Sequence, residues 1–313
     1  MTQTNRIVIA AATFKRPEGL SRLLDGIEAL DTNALVRVVI CDNDINGQAG
    51  RAVVKARVLA GFRFELECIV AEQRGISHAR NALFKNIHER GDCDFIAIID
   101  DDEWPEPQWL NAFESMALQT NADILAGPVV SVFESTEVTT PVAECEQFRR
   151  KQKSSGLVPI VLSTENAFLK SGTLDLIEQP WFDSQFAFTG GEDADLFYRF
   201  KRAGASFAWS DQAVVNELVP TSRSTAQWAL KRNFRRGSNT AWRALRRPGK
   251  LKSITRIVFL GLAGIISYPF FWVLNFNRPT KRLDAKLRLW RALGYFSGFA
   301  QVRVQDYNEV HGR

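Results

Sequence analysis

The sequence reads Phe95-Ile96-Ala97-Ile98-Ile99-Asp100-Asp101-Asp102-Glu103-Trp104-Pro105 where its structural signal is strongest. The apolar run at the start is short and rich in β-branched residues, which predicts a strand buried on both faces of a sheet. Four carboxylates then follow without a break. Because ligands of open α/β sheets bind at the carboxyl ends of strands, this segment predicts both an α/β fold and a binding site.

The four adjacent acids need a compensating partner. Like charges a few Å apart repel by roughly 1–4 kcal/mol per pair, and a cation or a donor-rich ligand removes that cost. Hard divalent cations such as Mg²⁺ and Mn²⁺ take oxygen ligands and often bridge carboxylates to phosphates. The alternative is an acidic turn that opens a helix at Pro105, since Asp is favoured near helix N-termini. Such a turn needs one or two acids rather than four.

A strand–helix–strand unit precedes the acidic segment. The apolar residues 7–12 and 36–40 predict strands, and Pro17 begins the helix between them. The second strand ends in Cys41-Asp42-Asn43-Asp44, which again places polar groups at a carboxyl end. Asp42 could accept hydrogen bonds from a ribose or a base, or its carboxylate could close an Asx turn. Both interpretations stay open.

A helix that begins after Gly75 carries two arginines near its start. Arg74 and Arg80 could bind phosphates, because a guanidinium group matches phosphate oxygens in a bidentate fork. Either arginine could equally lie on a solvated helix face.

The middle of the chain is predicted to continue the alternation of helices and strands. The patterns favour a helix from Pro105 and strands at 124–130 and 164–169. Residues 131–160 are polar and irregular and include a basic run at 149–153. That composition is typical of a mobile loop near an active site.

A second acidic cluster follows two glycines, in Gly190-Gly191-Glu192-Asp193-Ala194-Asp195. The pattern predicts a helix whose first turn holds these acids and which ends at Gly204. A carboxylate at a helix N-terminus is stabilised as the anion. Asp193 or Glu192 could therefore act as the general base that a hydroxyl nucleophile requires. Helix capping alone is the alternative.

The net charge of +5 conceals an asymmetry along the chain. Residues 220–313 contain 19 Lys or Arg and 3 Asp or Glu, a net +16, whereas residues 1–219 contain 21 and 32, a net −11. The basic part predicts an anionic partner, either nucleic acid or a membrane surface. The sequence lacks interleaved stacking aromatics and a helix-turn-helix pattern, which argues against nucleic acid. The four scattered cysteines favour a reduced, cytosolic location and argue against a zinc or disulfide framework.

An uncharged stretch at residues 257–276 is long enough to cross a hydrocarbon layer of about 30 Å as a helix. Positive residues flank both ends, so the positive-inside rule gives no direction of crossing, and Pro269 leaves a kink or hairpin open. Residues 283–296 predict an amphipathic helix of interfacial composition. We therefore expect membrane contact through residues 257–300 with both flanks cytoplasmic. The alternative is a buried helix packed on the rest of the fold.

Five segments occur in the order typical of one enzyme family. They are Thr13–Pro17, Cys41–Asp44, Arg74–Asn81, Asp100–Trp104 and Gly191–Leu196. In this order they resemble family 2 glycosyltransferases, which are inverting enzymes of the GT-A fold, and the later segment around Ala213 to Gly237 resembles their bacterial exopolysaccharide branch. The resemblance covers about residues 6–245. It implies a Rossmann-like, mostly parallel α/β sheet flanked by helices at 1–245, followed by a helical membrane-associated tail at 246–313.

The resemblance also implies roles for individual residues. Asp193 would deprotonate the acceptor hydroxyl, with Glu192 beside it. Asp102, with Glu217, would hold a Mn²⁺ or Mg²⁺ that bridges the diphosphate; related sequences often place a histidine near Glu217, which this chain lacks. The other nucleotide-sugar contacts would be Thr13, Arg16, Asp42, Arg74, Arg80, Asp100 and Asp101. The contacts to the acceptor or to phosphates would be Asn166, Arg223, Arg235 and Arg236.

These roles imply a UDP-sugar donor and a polyprenyl-diphosphate-linked glycan acceptor at the cytoplasmic face of the plasma membrane. The residues alone leave two other classes open. A metal-dependent nucleotidyltransferase also uses carboxylates and a cation but releases pyrophosphate, and a non-catalytic protein could bind nucleic acid through the basic tail. The sequence names neither the sugar, the acceptor nor the linkage.

Overall fold

A computed structural model describes residues 4–150, 153–246 and 249–301. The strands are β1 (Arg6–Thr13), β2 (Leu35–Asp42), β3 (Glu65–Val70), β4 (Phe95–Ile99), β5 (Glu103–Pro105), β6 (Ile124–Ala126), β7 (Val129–Phe133), β8 (Gly156–Leu157), β9 (Asn166–Lys170), β10 (Phe207–Trp209) and β11 (Val215–Val219). The α-helices are α1 (Pro17–Glu28), α2 (Ala49–Leu59), α3 (Ile76–Arg90), α4 (Trp109–Thr120), α5 (Thr140–Ala143), α6 (Glu192–Arg202), α7 (Ala226–Arg246), α8 (Lys250–Leu274) and α9 (Pro279–Phe299).

The larger sheet has the strand order β3-β2-β1-β4-β9-β6-β10-β8. Strands β1 to β4 are parallel, so their carboxyl ends meet at one edge. Strand β9 runs antiparallel to β4, with Asn166 opposite Ile99. The amino end of β9 therefore lies at the same edge as the carboxyl end of β4.

The larger sheet is buried on both faces, as the sequence predicts for its central strand. Ala97 and Ile99 of β4 belong to the hydrophobic cluster that includes α1 and α4. Ile96 and Ile98 belong to the cluster on the opposite face, which includes α3 and α6. Since both faces are covered, only the edge at the carboxyl ends is left for the polar residues that follow the strands.

The prediction of a helix from Pro105 is wrong, because residues 103–105 form β5. This strand lies in a smaller sheet of order β5-β11-β7 and pairs antiparallel with β11, where Glu103 lies opposite Glu217. The helix α4 begins at Trp109 instead. Pairing with a strand more than a hundred residues later is a tertiary effect that local sequence does not encode.

The strand predicted at 124–130 is also wrong in its extent, since it divides into β6 and β7 in two different sheets. The break falls at Gly127-Pro128. A Cβ atom on Gly127 would lie 2.0 Å from the Ala213 carbonyl oxygen. The backbone at Gly127 therefore lies very close to the segment that precedes β11, which only glycine permits. Pro128 has no N–H to donate to a ladder.

Much of the segment predicted as an irregular loop at 131–160 is structured. It contains the end of β7, α5 and β8, and Cys145 and Phe148 are buried in a small core with α7 and α9. The Phe148 ring stacks on Trp228 with 5.8 Å between ring centroids. Residues 151 and 152 of the basic run lie outside the described residues.

Helix α8 leaves most of its apolar surface exposed. Phe259 is 70% and Ile266 is 73% exposed, while Ile257 and Gly261 are buried against α9. Within the described parts of the chain this is the one helix long and apolar enough to cross a membrane. The alternative of a buried helix is therefore wrong for α8. Pro269 lies inside a continuous helix rather than at a hairpin.

Helix α9 packs against α7 through glycines. A Cβ atom on Gly294 would lie 2.0 Å from the Phe234 carbonyl oxygen, and one on Gly298 would lie 2.2 Å from that of Ser238. Leu283 and Leu287 are buried in the core shared with α5, whereas Trp290 is 38% exposed. The amphipathic helix predicted at 283–296 thus directs much of its apolar face at protein. The proposed division at residue 245 stays a prediction, and residues 302–313 of the tail lie outside the described residues.

Candidate active site

Asp101 and Glu103 are the two buried members of the Asp100–Glu103 cluster. Asp101 is bonded to residues at the end of β1. Its carboxylate accepts hydrogen bonds from the Thr13 hydroxyl at 2.8 Å and from Arg16 Nη1 at 2.9 Å. Both partners follow or end β1, so Asp101 ties two neighbouring strand ends together. This pairing makes Asp101 and Thr13 part of the frame beneath the cleft.

Asp102 lies between two arginines from distant parts of the chain. Its Oδ2 accepts hydrogen bonds from Arg16 Nη1 at 3.0 Å and from Arg223 Nη1 at 3.1 Å. The Asp102 carbonyl oxygen accepts from the Leu218 N–H at 2.9 Å, which brings β11 and the segment after it to the cluster. Arg223 therefore lies beside Asp102, and its contact with a phosphate stays a prediction.

Arg80 joins the two acidic clusters. Its Nη2 donates to Asp100 Oδ1 at 2.8 Å, and its Nη1 donates to Glu192 Oε1. The Arg80 side chain is only 7% exposed, so this guanidinium is a fixed part of the site. The acids that follow β4 and the acids that begin α6 lie at one cleft, as the sequence predicts.

Glu192 and Asp193 occupy the first turn of α6. Gly191, which precedes them, has φ of 96°, and a Cβ atom there would lie 2.7 Å from Arg243 Nη1. The left-handed backbone therefore favours glycine at this position, and the Arg243 guanidinium lies close against it. The Asp193 carboxylate accepts a hydrogen bond from the Ala194 N–H at 2.6 Å, which orients it at the helix terminus.

Burial makes several of these acids weaker than usual. It raises the pKa of Asp100 to about 6, although Arg80 opposes the shift. It raises the pKa of Glu192 to about 7, again against Arg80 and with help from the charge of Asp193. Burial also raises the pKa of Asp193, with Arg80 opposing. A base whose pKa is raised toward neutrality accepts a proton more readily at physiological pH.

Glu165 and Arg150 form a further part of the site that sequence reasoning missed. Arg150 Nη1 donates to Glu165 Oε2 at 2.7 Å, and its Nη2 donates to Glu217 Oε2 at 2.8 Å. Arg232 lies 3.4 Å from Glu165 Oε1. Arg150 and then Arg232 lower the pKa of Glu165 to about 2 in spite of its burial. The signal in the sequence was an acid directly before a predicted strand. Glu165 reaches the cleft only because β9 is antiparallel, so that its amino end lies where β4 ends.

The basic residues of α7 lie behind this cluster. Arg236 Nη1 donates to Gln147 Oε1 at 2.9 Å. Burial, and then the charge of Arg232, lowers the pKa of Arg236 to about 9, which still leaves it charged at neutral pH. Arg235 lies half-buried on the same helix. The structure thus places half-buried positive charge on α7 beside the cleft, and the phosphate contacts of Arg235 and Arg236 stay predictions.

Asn166 does not lie where the sequence predicts an acceptor contact. It is 2% exposed, and its Oδ1 accepts from Trp109 Nε1 at 2.8 Å. Its Nδ2 donates to the carbonyl oxygens of Pro128 at 2.9 Å and Ala213 at 2.7 Å. Because all its polar bonds are made within the fold, the prediction of a substrate contact is wrong by this geometry.

Asp42 and Arg74 were also predicted to contact the nucleotide sugar, and both lie near the carboxyl ends of β1 and β2. Asp42 is buried, and its carboxylate accepts from the Asp44 N–H at 2.9 Å and from the Arg51 N–H at 3.0 Å. This is the Asx-turn alternative, extended to the first turn of α2. Arg74 is exposed and lies over the Phe14 ring, 4.9 Å from its centroid. Nucleotide binding by either residue stays a prediction.

The acids of this cleft could hold a divalent cation only together with further ligands from a bound nucleotide sugar. Among the described residues no group of three or more His, Cys, Asp or Glu side chains is arranged to hold a metal. Asp100 Oδ2 and Asp102 Oδ1, however, accept no hydrogen bond within the described part of the chain. Mg²⁺ is commonly held by one or two carboxylates together with substrate phosphates. Glu217, which is bonded to Arg150, is less suited to the ligand role predicted for it.

The mostly parallel sheet has the GT-A fold, and together with the family described next it makes this protein a glycosyltransferase. Its central strand brings an Asp-x-Asp pair up to a Glu-Asp pair at a helix N-terminus. The particular family follows from the comparisons. The model of the "Glycosyltransferase like family 2" matches residues 5–240, and the chain belongs to that family. The chain is 30% identical to the succinoglycan biosynthesis protein ExoM of Rhizobium meliloti (strain 1021), over 97% of this chain and 96% of ExoM.

Solved structures share the fold at lower identity. The mannosyltransferase PcManGT from Pyrobaculum calidifontis, in complex with GDP-Man and Mn²⁺, superposes with a TM-score of 0.60 and 17% identity over 96% of this chain and 88% of PcManGT. Residues 1–349 of TarS from S. aureus give a TM-score of 0.53 and 13% identity over 95% and 91% of the two chains. This chain spans 39% of a longer TarS structure. At these identities the likeness establishes the fold.

Proposed function

We propose that this glycosyltransferase moves a sugar, with inversion, from a UDP-sugar to a lipid-linked glycan during synthesis of a cell-surface polysaccharide. The observation that carries the proposal is the bridge from Asp100 through Arg80 to Glu192. The bridge holds the acids that suit a nucleotide sugar beside the acids that suit a general base. An inverting displacement needs both at one cleft and needs no covalent enzyme nucleophile.

Asp193 is the proposed base. It lies at the terminus of α6 and is oriented by the Ala194 N–H, and burial raises its pKa toward a value useful for accepting a proton. The acceptor hydroxyl would give its proton to Asp193 while the oxygen attacks the anomeric carbon. Glu192, held by Arg80, would fix the start of the helix rather than accept the proton itself.

The leaving diphosphate would be stabilised on the other side of the cleft. Arg16 and Arg223 converge on Asp102, so they would stabilise a diphosphate bound at this end of the cleft. Asp102, with Asp100, would hold that Mn²⁺ or Mg²⁺, which supplies Lewis-acid stabilisation of the developing charge. The complexes of PcManGT with GDP-Man and Mn²⁺ and of TarS with UDP-GlcNAc support a nucleotide-sugar donor.

The acceptor is proposed from the similarity to ExoM and from the exposed α8. A lipid-linked glycan would bring the acceptor to the same surface that α8 contacts, at the cytoplasmic face of the plasma membrane. The flanking cations, among them Lys250, Lys252 and Arg256, would lie at the level of the anionic headgroups.

The experiment separates donor binding from transfer. The full chain is assayed in detergent with a panel of UDP-sugars and Mn²⁺, using a lipid extract as acceptor, for UDP release and for labelled glycolipid. Asp193→Asn should lower transfer by roughly 10²–10⁴-fold and leave UDP affinity within about twofold, because only the base is lost. Asp102→Ala should lower Mn²⁺-dependent UDP affinity.

Asp175→Asn is the matched control, since this acid is exposed and bonds to His88 away from the cleft. It should leave both measurements unchanged. Full transfer by Asp193→Asn would contradict the base assignment. Release of pyrophosphate from a nucleoside triphosphate, with no UDP from any sugar donor, would replace the proposal by a nucleotidyltransferase.

A further inference from the structure

A cavity of about 780 Å³ lies between α6, α7 and the segment at 177–186. Arginines from both helices line it, namely Arg199 and Arg202 of α6 with Arg243 and Arg246 of α7. No step proposed above uses this cavity. Four guanidinium groups at one concave surface are suited to phosphate oxygens, which they bind in pairs of hydrogen bonds.

The acids in the wall offset this charge only in part. Asp195 is bonded to Arg199, with 3.0 Å between Oδ2 and Nε. Asp183 accepts a hydrogen bond from the Gln185 N–H at 2.9 Å, so its carboxylate is oriented toward its own backbone. Glu178 is exposed on the 177–186 segment. The cavity therefore keeps an excess of positive charge.

The arginines of α7 and α6 that face the cavity are well placed to bind an incoming anion. Arg246 is exposed, and its described contacts are neutral: the Gln185 side chain and the Trp242 ring, whose centroid lies 3.8 Å from the guanidinium carbon. Arg202 is also exposed and has no hydrogen bond or ion pair with any residue that the structure describes. Neither would have to break a buried ion pair to accept a phosphate.

The cavity is next to the proposed base. Arg243, in its wall, donates to the Gly191 carbonyl oxygen at 3.3 Å, one residue from Glu192 and two from Asp193. The positive charge of Arg243 also acts on Asp193. At the opposite end α7 stops at Arg246 and α8 begins at Lys250. The cavity thus lies between the candidate base and the start of the exposed apolar helix.

We propose that this cavity binds the phosphate or diphosphate group of the acceptor, with the attached glycan passing Arg243 toward Asp193. The inference rests on the proposed function, because it assigns the acceptor's anionic end to a site separate from the donor cleft. The shared chemistry is a phosphate, and the source assigned to it is a lipid carrier rather than a free phosphate. The cavity lies near the start of the exposed apolar helix α8, and this position supports a lipid carrier as the source of the phosphate.

The test measures binding to the full chain in detergent by titration calorimetry. The probes are farnesyl diphosphate, inorganic pyrophosphate, farnesol and UDP with Mn²⁺. Farnesyl diphosphate should bind the wild type, and Arg202→Gln/Arg246→Gln should weaken it about tenfold or more, the effect of losing charge-assisted hydrogen bonds. UDP affinity should stay within about twofold in the same variant, which shows that the cleft is intact.

Lys286→Gln/Arg288→Gln is the matched control, because it removes two positive charges from α9 outside the cavity. It should bind farnesyl diphosphate like the wild type. Equal binding by the cavity variant, or binding of farnesol as tight as that of farnesyl diphosphate, would overturn the proposal. Pyrophosphate bound as tightly as farnesyl diphosphate would overturn the lipid source. Failure of the wild type to bind UDP would instead contradict the proposed function. The farnesyl diphosphate titration would still test phosphate binding in the cavity.

Discussion

Arg80 is the residue on which the geometry of the cleft most depends. Replacing it by Ala would leave the buried Glu192 and the half-buried Asp100 without their shared cation. Removing one partner of a buried ion pair typically costs about 3–5 kcal/mol. We therefore expect Arg80→Ala to lower the free energy of unfolding by about 3 kcal/mol and transfer by more than tenfold, measured by urea denaturation and by the glycolipid assay.

The control for Arg80 is Arg90→Ala on the same helix. Arg90 is 39% exposed and pairs with Glu65 and Asp92 at the surface, so its loss should destabilise the fold far less than the loss of Arg80. Arg80→Lys should recover part of the stability but less of the activity, because an ammonium group cannot reach both acids in a fixed fork. Equal effects of the Arg80 and Arg90 substitutions would contradict this role.

Glu192 should make stability depend on pH. Burial raises its pKa from 4.5 in the unfolded chain to about 7 in the folded protein. Between these values the folded state binds more protons than the unfolded state, so this group's contribution to stability is lost as pH rises. The loss is at most about 3 kcal/mol.

Glu192→Gln, which keeps a neutral side chain at all pH values, should therefore gain stability relative to the wild type at pH 8 and gain little at pH 4.5. Urea denaturation at the two pH values measures the difference. The exposed Glu72→Gln serves as the control and should show none. A gain for Glu192→Gln that is the same at both pH values would contradict the burial argument.

At the residue scale, the sequence predicts the acids better than the arginines. A recognisable strand precedes Asp100 and Asp102, and a recognisable helix begins around Asp193. The structure places all three acids at one cleft. The position of Arg80 in the sequence left phosphate binding and a solvated helix face equally open, and in the structure it bonds to two carboxylates. A long side chain can reach partners in several directions, so its sequence position alone does not give its contacts.

Helices α7 and α9 depend on glycine for their close packing. A Cβ atom on Gly294 would lie 2.0 Å from the Phe234 carbonyl oxygen, so the helices would have to separate. Overpacking of this kind costs about 1–3 kcal/mol. Gly294→Ala should lower the free energy of unfolding by that amount and also reduce transfer, because α7 carries Arg232 and Arg236 beside the cleft.

Gly172→Ala is the matched control, since a Cβ atom there would have no atom within 4 Å. It should leave stability and activity unchanged within about 0.5 kcal/mol and twofold, respectively. Thermal unfolding and the glycolipid assay measure both variants. If Gly294→Ala is as stable and active as Gly172→Ala, the packing of α9 does not support the site.

At the element scale, parallel strands and their helices could be predicted, and the later strands could not. The runs at 7–12 and 36–40 fall within β1 and β2 because each is a local apolar pattern. The direction of β9 and the separation of β6 from β7 depend on partners far along the chain. That is why Asn166 was chosen from the sequence while Glu165, one residue earlier, lies at the cleft.

At the scale of the whole molecule, α8 carries an exposed apolar surface within the most basic part of the chain. The exposed side chains of α8 include Phe259, Ile266 and Phe270. Phe259→Lys/Ile266→Lys should move the protein from the bilayer to the soluble fraction, because a lysine costs about 2.5–3.5 kcal/mol at the centre of a membrane helix. Flotation with vesicles of phosphatidylethanolamine and phosphatidylglycerol measures the partition.

The control is Leu59→Lys, at an apolar residue that is 79% exposed on α2. It should float with the vesicles like the wild type. UDP binding in detergent should be unchanged in both proteins, which shows that the fold is kept. Flotation of the α8 variant like the wild type would contradict a role for this helix at the membrane.

The glycine contacts join α9 to α7, and α8 packs on α9 through Gly261 and Gly264. If α8 lies in lipid, as proposed above, this packing would fix the height of the cleft above the bilayer. An acceptor sugar must then stand at that height to be glycosylated. The enzyme would in this way measure the length of the growing chain.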